Sequence, residues 1–447
     1  MEYYSHPFMN VQSNGSESFI FLSSDPSRCI RIYNPNHPLY GIQKERDLLD
    51  RFNLLSKTDR DVLSMRGFVS DTGFDRNMIL KGIADIANAP ENLNITLLPT
   101  LNCNNKCPYC YQEHQHQPQM NIHEYEAIYK LICHKLTEGV KVIHLSLMGG
   151  EPTLESGNLI PFIERCHEFC EKHGAVFYGT MSSNGRLLAC DSVAKKFVDS
   201  GITNFQITLD GVPEIHNKTR PGINGEATFD ETLNAILALR DNGGQSVSCS
   251  IRTNHTFRSI KEEYLSGYLS FLSNHIGRDR RFNVYHHFAS DLGGIPDSSD
   301  FVPKEKRSEI LEHINELTQQ YGLFLKTDIY GPNGRVCYAA KRNSIAVLPG
   351  LKLVKCTTAL YEPSNQVGTL SSDGILELND NFEKWTDWKV TEKAKCNSCK
   401  VAPICHAQTC PLERIKKGEP PCPDVKYSKS FFFRIMRNES FAQNMSS

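Results

Sequence analysis

Three cysteines lie within eight residues of one another, in the segment "CNNKCPYC" at residues 103–110. Three kinds of site use thiols at such close spacing: structural disulfides, a zinc knuckle and an iron–sulfur cluster. We expect no disulfides, because the N-terminal stretch lacks the basic start and apolar run of a signal peptide, which predicts a cytoplasmic protein. The sixteen cysteines of the chain are then thiolates, buried residues or metal ligands.

The overall composition argues against several classes of partner. The chain has 447 residues, a net charge of −2 and a pI near 6.8, so no global charge draws it to nucleic acid or to a membrane surface. No apolar run reaches the roughly 18 residues of a membrane-spanning helix. The length predicts two or three domains rather than a single core.

The cysteine segment follows the first of six short apolar runs that alternate with amphipathic segments. The predicted strands are NITLLPT, VKVIHLSLM, AVFYGTM, ITNFQITL, SVSCSIR and RFNVYHHF. The first intervening helix begins with Asn121 and Glu124 at the spacing of a capping box. Six strand–helix units predict parallel strands and fall short of the eight that close a full barrel. We therefore expect an α/β fold with a partial (β/α)6 TIM-like barrel, whose site lies at the carboxyl ends of the strands.

The regions that flank the barrel have other patterns. Residues 1–92 contain a predicted hairpin, SFIFL and CIRIYN around the turn SSDPSR, followed by helical segments, which predicts a small α+β domain. We place the barrel at residues 93–325, a cysteine-rich domain at 326–432 and a C-terminal tail at 433–447, whose last ten residues, NESFAQNMSS, are predicted to be disordered.

The number of thiols in the first segment indicates which metal they suit. Three thiolates leave a four-coordinate centre one ligand short, whereas a structural zinc site supplies all four. Soft thiolates suit a 4Fe–4S cluster, and three of them leave one iron open. The CxxxCxxC loop, with an aromatic residue before its last cysteine, resembles the signature of the radical S-adenosylmethionine (SAM) enzymes. A zinc knuckle is the alternative.

The resemblance implies the roles of four residues. Cys103, Cys107 and Cys110 would ligate the cluster, its open iron would chelate SAM, and Tyr109 would lie beside the adenine. In that family an electron from the cluster cleaves SAM to a 5'-deoxyadenosyl radical.

A second motif, "GGEP", follows the second predicted strand. Paired glycines expose backbone groups that can contact a bound ammonium group. The motif resembles the GGE motif of the family, so Gly149, Gly150 and Glu151 are expected to hold the amino group of SAM. A plain turn is the alternative.

Four more residues at predicted strand ends are candidates for SAM contacts. The segment TLDGVPEIHNKTRP contains Thr208 and, twelve positions later, Arg220. It resembles a segment of peptide-modifying members of the family, in which a hydroxyl residue and an arginine at this spacing contact SAM. Asn184 and Arg252 could line the same pocket. An ordinary Asn-Gly turn and solvated surface charges are the alternatives.

Seven further cysteines lie at residues 337–422, spaced C-x12-G-x5-C, C-x2-C-x5-C-x4-C and a last C. The pattern is similar to the SPASM extension of radical SAM enzymes, which holds two auxiliary 4Fe–4S clusters. Two intervals are each one residue longer than the expected pattern. The resemblance assigns to the first auxiliary cluster Cys337, Cys356 and Cys410, and to the second Cys396, Cys399, Cys405 and Cys422. The first would then have an open iron or a fourth ligand that the sequence does not identify, and two zinc sites are the alternative.

These resemblances imply a peptide maturase related to the sactipeptide and ranthipeptide thioether synthases, with three 4Fe–4S clusters and SAM. We expect it to cross-link a ribosomally made precursor peptide, through a thioether rather than a carbon–carbon bond. The leader peptide would add a strand to the N-terminal domain, for which a structural cap is the alternative, and flavodoxin or ferredoxin would donate electrons. The catalytic base stays unassigned.

Two other functions remain as alternatives. One is an anaerobic sulfatase-type formylglycine maturase. Those enzymes carry an aspartate directly after the cysteine equivalent to Cys356, and this chain has Thr357 at that position, which argues against this alternative. The other is a non-catalytic iron–sulfur or zinc scaffold or sensor.

Overall fold

The computed structural model of the protein describes residues 3–13, 16–112, 118–289, 300–326, 334–388, 396, 398–423 and 442–445. The chain forms two compact units. The smaller unit contains Met1–Ala89, Thr327–Lys341 and Thr386–Ser447, and the larger contains Pro90–Lys326 and Arg342–Trp385. In the described residues no helix is long and apolar enough to cross a membrane. The domain boundaries predicted from the sequence stay predictions, although part of the cysteine-rich region belongs to the larger unit.

The smaller unit combines short strands with helices. Its strands are β1 (Tyr4–Ser5), β2 (Met9–Ser13), β3 (Ser18–Leu22), β4 (Asp25–Ile32), β5 (Val69–Ser70) and β16 (Ala442–Met445). Its α-helices among the described residues are α1 (Glu45–Arg51), α2 (Lys57–Met65), α3 (Arg76–Ala87), α12 (Ala402–Cys405) and α13 (Pro411–Lys417). A four-stranded sheet has the order β16-β4-β3-β2, and β1 pairs with β5. Its core includes Ile20, Ile30, Leu48, Leu63 and Phe68.

The predicted N-terminal hairpin is confirmed by the antiparallel pairing of β3 with β4. The prediction of a disordered tail is wrong for Ala442–Met445, which pair in parallel with Cys29–Ile32 of β4. The reason is that β3 occupies only one edge of β4, and the other edge presents backbone groups that an extended segment can bind. Residues 433–441 and 446–447 of the predicted tail lie outside the described residues.

The larger unit is built on a ten-stranded sheet. Its strands are β6 (Asn92–Leu97), β7 (Val142–Leu147), β8 (Val176–Ser183), β9 (Ile202–Thr208), β10 (Ser248–His255), β11 (Phe282–Phe288), β12 (Ser344–Leu348), β13 (Lys352–Val354), β14 (Gln366–Leu370) and β15 (Leu376–Leu378). Its α-helices among the described residues are α4 (Ile122–Thr137), α5 (Ser156–Lys172), α6 (Asp191–Ser200), α7 (Pro213–Thr219), α8 (Phe229–Asn242), α9 (Glu262–Ile276), α10 (Arg307–Gln320) and α11 (Asp380–Trp385).

The six predicted strands β6 to β11 lie side by side in chain order, and each pairs in parallel with the next. Strand β12 pairs in parallel with the free edge of β6, and β13 to β15 continue the sheet as antiparallel strands. The predicted partial (β/α)6 barrel is therefore confirmed. Because parallel strands have their carboxyl ends at one edge, the loops after β6 to β10 meet there.

Local sequence signals explain why these elements form. Alternate residues of β7 and of β11 are buried, as expected for strands with two different faces. Asn121 and Glu124 form the predicted capping box of α4. Helix α6 ends at Gly201, whose φ of 115° a residue with a Cβ rarely adopts.

Candidate functional site

The loop after β6 carries the three closely spaced cysteines and is fixed to a second loop. The Lys106 amide donates to the Pro221 carbonyl at 2.8 Å, and the Asn105 side chain donates to the Arg220 carbonyl at 3.2 Å. The Cys110 amide donates to the Cys107 carbonyl at 3.0 Å, which gives the loop a tight turn between two of its thiols. The three thiols therefore lie on a backbone whose shape is set by its own and by neighbouring hydrogen bonds.

These thiols are partly withdrawn from solvent. Burial raises the pKa of Cys103 to about 12 and that of Cys107 to about 11. The Asn105 amide donates to the Cys103 sulfur at 3.4 Å. Thiolates in such a place require a positively charged partner, which an iron–sulfur cluster supplies. The donor set thus fits the predicted cluster.

The glycine pair after β7 packs against the start of the cysteine loop. The amides of Gly150 and Glu151 donate to the carbonyls of Thr100 and Asn102 at 3.1 and 2.9 Å. A Cβ on Gly149 would lie 2.4 Å from the Thr100 carbonyl oxygen, and one on Gly150 would lie 2.0 Å from that of Asn102. Only glycine permits this approach of the two loops.

The carboxylate of Glu151 connects the glycine loop to the end of β8. The residue is fully buried. Its Oε1 accepts from the Thr153 amide at 3.1 Å, the Thr153 hydroxyl at 2.6 Å and the Ser183 hydroxyl at 2.8 Å, and its Oε2 accepts from the Asn184 amide at 2.7 Å. Burial raises the pKa of Glu151, and these four donors oppose the shift. The role of Glu151 in this network is to position loops, and its contact with SAM stays a prediction.

Asn184 extends the same network to the cysteine loop. Its side-chain amide donates to the Asn104 side-chain oxygen at 2.6 Å and lies 3.8 Å from the Cys103 sulfur. Its side-chain oxygen accepts from the Arg186 amide at 3.0 Å. The loops after β6, β7 and β8 are therefore one hydrogen-bonded assembly.

A buried cluster of polar side chains lies beside this assembly. The Tyr109 hydroxyl donates to the Asp210 carboxylate and accepts from the Arg220 guanidinium at 2.9 Å. The Asn254 amide donates to the other Asp210 oxygen at 2.7 Å, and the Asn254 side chain lies 3.3 Å from the Tyr109 hydroxyl. Burial raises the pKa of both Tyr109 and Asp210, and the Arg220 charge opposes both shifts.

Arg220 has capacity for a further partner. The residue is 8% exposed, and its buried Nε has no hydrogen-bond partner among the described residues. A ligand with an anionic group would satisfy this donor.

Thr208 and Arg252 lie on neighbouring strands at the same level. They are register partners, and Thr208 is the last residue of β9. The Arg252 Nε donates to the Asn254 side chain at 2.9 Å, and its guanidinium carbon lies 6.0 Å from the Tyr285 ring centre. All eight residues predicted to contact SAM thus lie in the larger unit, on the edge where the strands end.

Three side chains that the structure brings into this site were not predicted from the sequence: Thr153, Ser183 and Asp210. Ser183 precedes Asn184 in the "SSNG" segment, and Asp210 follows β9 in "TLDG". For Ser183 and Asp210 the available signal was a position within two residues of the end of a predicted strand, because polar residues at those ends face the site.

Two histidines near the end of β11 face in different directions. His286 receives or donates a hydrogen bond with His255 at 2.9 Å and with Thr318 of α10 at 2.8 Å, on the helix side of the sheet. His287 is the register partner of Asn254 and shares its face. Burial lowers the pKa of His255 to about 3 and that of His287 to about 4.

Four of the C-terminal cysteines line one small pocket in the smaller unit. They are Cys396, Cys399, Cys405 and Cys422. Burial and, to a smaller extent, the other three cysteines raise the pKa of Cys405 to about 11. Thiols from 27 residues of chain therefore converge around a shared space, which fits the predicted second auxiliary cluster.

The remaining three cysteines are divided between the units. Cys337 and Cys410 belong to the smaller unit, where each immediately precedes a helical turn. Cys356 belongs to the larger unit, where the Asn365 side chain accepts from its amide at 2.8 Å and donates to its carbonyl at 2.7 Å. Their assignment to one cluster stays a prediction.

Within the described residues, no group of three or more His, Cys, Asp or Glu side chains is arranged to hold a metal ion. A 4Fe–4S cluster binds each thiolate through a different iron, so its ligands surround a volume rather than converge on one ion.

Residues 97–262 match the family model described as the Radical SAM superfamily. The chain contains a radical SAM domain. This domain is the catalytic domain of an enzyme superfamily, and it implies one 4Fe–4S cluster and SAM. The match contains the cysteine loop, the glycine loop and the buried polar cluster described above.

Two curated proteins are similar to part of the chain. One is the GTP 3',8-cyclase of Aliarcobacter butzleri (strain RM4018), 32% identical over 139 residues, which are 31% of this chain and 39% of the cyclase. The other is the cysteine-type anaerobic sulfatase-maturating enzyme of Clostridium novyi (strain NT), 27% identical over 186 residues, 39% of this chain and 47% of the relative. The matches thus span less than half the length of either relative.

Solved structures share the fold. The structure described as native anSMEcpe with bound AdoMet has a TM-score of 0.56 and 16% identity, and the match covers 78% of this chain and 98% of anSMEcpe. Streptococcus suis SuiB bound to precursor peptide SuiA has a TM-score of 0.50 and 15% identity, with 94% and 98% covered. At these identities the similarity concerns the fold alone.

Proposed function

We propose that the protein is a radical SAM enzyme that modifies a ribosomally made precursor peptide, with a thioether cross-link as the favoured product. One observation carries the proposal: the three-thiol loop, the glycine loop and the Tyr109–Asp210–Arg220 cluster meet at the carboxyl edge of six parallel strands. When bound, the 4Fe–4S cluster supplies the electron that cleaves SAM to a 5'-deoxyadenosyl radical.

The side chains of the chain divide the work of binding and positioning. Cys103, Cys107 and Cys110 hold the cluster. Glu151 and Asn184 fix the loops against each other through the hydrogen bonds given above. The free Nε of Arg220 suits the carboxylate of SAM, and Tyr109, Thr208 and Arg252 complete the pocket.

A peptide substrate is supported by the two structural neighbours. SuiB is bound to the precursor peptide SuiA, and anSMEcpe is bound to the Cp18Cys peptide in a structure with a TM-score of 0.57 and 17% identity. The match with SuiB covers 94% of this chain, whereas the match with anSMEcpe covers 78%. More of the regions outside the barrel therefore have a structural counterpart in SuiB. We propose that the leader peptide adds a strand to the small sheet of β2, β3, β4 and β16.

The proposed enzyme carries three clusters. The second auxiliary cluster is supported by the pocket that Cys396, Cys399, Cys405 and Cys422 line. The first, with Cys337, Cys356 and Cys410, follows from the sequence pattern. We propose flavodoxin or ferredoxin as the electron donor and the cytoplasm as the location.

The test is anaerobic incubation of the reconstituted enzyme with SAM, a reductant and a candidate substrate, chosen as a small cysteine-containing peptide encoded beside its gene. Intact-mass analysis should show loss of a pair of hydrogen atoms, with formation of 5'-deoxyadenosine. Fragmentation should place the new bond on a cysteine sulfur. Formation of 5'-deoxyadenosine with an unchanged peptide would contradict the proposed substrate. Absence of SAM cleavage by the reduced, reconstituted protein would favour the non-catalytic scaffold or sensor.

A sulfatase-type maturase is the second candidate, because a sulfatase-maturating enzyme is among the curated relatives. Against it, Thr357 follows Cys356 and is buried. A cysteine-containing sulfatase peptide separates the two candidates, since formylglycine formation removes the sulfur whereas a thioether retains it. GTP is the matched small-molecule control, because the other curated relative is a GTP 3',8-cyclase.

A further inference from the structure

A side chain from the N-terminal part of the smaller unit holds the loop that carries two predicted cluster ligands. Arg76 is the first residue of α3, and its Nη2 donates to the Cys399 carbonyl at 2.8 Å and to the Cys396 carbonyl at 3.3 Å. Its guanidinium carbon lies 4.2 Å from the centre of the Phe8 ring. The two cysteines lie more than 300 residues away from Arg76 in sequence. The guanidinium is thus fixed between an aromatic face and two backbone oxygens of the cysteine loop.

Neighbouring contacts hold the same loop from other directions. The Ser23 hydroxyl donates to the Lys400 carbonyl, and the Lys400 ammonium donates to the Met9 carbonyl at 3.2 Å. Cys399 packs against a buried apolar cluster of Phe8, Leu80 and Ala402. The loop is therefore part of the same packed unit as the N-terminal sheet and α3.

We infer that Arg76 is a positioning residue for the second auxiliary cluster. It holds the Cys396–Cys399 loop in place, and it sets a permanent positive charge beside the cluster. This inference rests on the proposed function, which supplies the cluster in that pocket.

The expected electrical effect has a definite sign. A 4Fe–4S cluster with four thiolate ligands is an anion, and reduction adds one further negative charge. A guanidinium fixed nearby stabilises the reduced form more than the oxidised form, because attraction grows with charge. Arg76 therefore raises the reduction potential of this cluster, which makes it a better electron acceptor.

The geometry also distinguishes charge from shape. A lysine at position 76 would keep the charge, but its single ammonium lacks the planar fork and the flat stacking surface of arginine. Arg76→Lys should therefore retain part of the effect on the potential, whereas Arg76→Gln should lose it. Arg46 of α1 offers a matched control, because its side chain is 86% exposed and contacts Asp50 on its own helix.

The test uses the full chain in which Cys103, Cys107 and Cys110 are replaced by alanine, so that only auxiliary clusters contribute to the spectra. The reconstituted protein, with and without Arg76→Gln, Arg76→Lys or Arg46→Gln, is titrated with reductant and followed by electron paramagnetic resonance. Iron is counted in each sample. We expect Arg76→Gln to move one midpoint potential to a more negative value, Arg76→Lys to move it less, and Arg46→Gln to leave it unchanged.

Two further outcomes are decisive. Loss of about four iron atoms per chain from Arg76→Gln, but not from Arg46→Gln, would support the positioning role. In that case the midpoint potential would be measured on Arg76→Lys instead. Unchanged iron and unchanged potentials in Arg76→Gln would overturn the inference. SAM cleavage by the enzyme with its three N-terminal cysteines intact is scored separately, so failure of the proposed function would be distinguished from failure of this inference.

Discussion

The Glu151 network makes a quantitative prediction for the substitution Glu151→Gln. The carboxylate accepts two backbone N–H groups, that of Thr153 on Oε1 and that of Asn184 on Oε2. A glutamine amide has one oxygen and one NH2 group. Whichever way the amide is turned, one backbone N–H must face an NH2 group, whereas the Thr153 and Ser183 hydroxyls can rotate to accept.

The cost follows from this count. A hydrogen bond to a charged group contributes about 1.5–3 kcal/mol, and the buried N–H left behind has no alternative partner in the network. We therefore expect Glu151→Gln to destabilise the assembled loops by about 2 kcal/mol. At 1.4 kcal/mol per factor of ten, this corresponds to about 30-fold weaker SAM binding if SAM requires that loop geometry.

A graded series tests the origin of the effect. Ser183→Ala removes one of four donors and leaves the carboxylate with the other three. It should cost about 1 kcal/mol, or about fivefold in affinity. Glu164→Gln makes the same chemical change as Glu151→Gln on an exposed position of α5 and should have no effect.

The assay is equilibrium binding of SAM to anaerobically reconstituted protein, with iron content and 5'-deoxyadenosine formation measured on the same samples. Iron per chain should stay within error of the parent, because Glu151 is not a ligand. SAM affinity of Glu151→Gln within twofold of the parent, at full iron content, would refute the reasoning. It would mean that the loops adapt to an amide without loss.

Four further predictions follow from the same structure. Tyr109→Phe removes a hydroxyl shared by two buried charged groups, so SAM binding should weaken by at least tenfold. An affinity equal to that of the parent would show that the Tyr109–Asp210–Arg220 cluster is not part of the SAM pocket. Gly150→Ala should abolish SAM cleavage, because its Cβ would overlap a backbone oxygen, whereas Gly157→Ala in α5, where nothing lies within 4 Å, should leave it unchanged. The pKa of His255 is about 3 in the folded chain against an ordinary value of 6.5, so the unfolded chain binds more protons between these values. Its contribution to stability is therefore present above pH 6.5 and lost as the pH falls towards 3, and urea unfolding should show a shallower pH dependence for the His255→Gln variant than for the parent. Residues 442–447 contain β16, which occupies the outer edge of β4. If the leader peptide adds its strand at that edge, deletion of these residues should strengthen leader binding, measured by fluorescence anisotropy. Unchanged affinity would show that the leader does not bind at the β4 edge.

The barrel was predictable because its signals are local. Strands such as β7 and β11 bury every second residue, and this alternation is visible in the sequence. The capping box at Asn121 and Glu124 marked the start of α4 correctly. The tail was predicted incorrectly, because the partner that orders Ala442–Met445 is the edge of β4, more than 400 residues earlier in the chain.

The candidate site was predictable only in part. The cysteine spacing and the paired glycines are short-range patterns, so residues 103–110 and 149–151 could be identified directly. The hydrogen-bond partners of Tyr109 are distant in sequence: Asp210 is 101 residues away and Arg220 is 111 residues away. No local pattern records such a partnership, which is why Asp210 was not identified.

The sequence by itself determined the strand–helix order, the thiol loop and the resemblance to radical SAM enzymes, because periodicity and ligand spacing are properties of adjacent residues. Only the tertiary structure decided that the Glu151 carboxylate ties the glycine loop to the end of β8 and that Arg76 holds the Cys396–Cys399 loop. These are contacts between distant segments. Each exists because parallel strands bring their ends to one edge, or because a buried donor requires an acceptor from another segment of the chain.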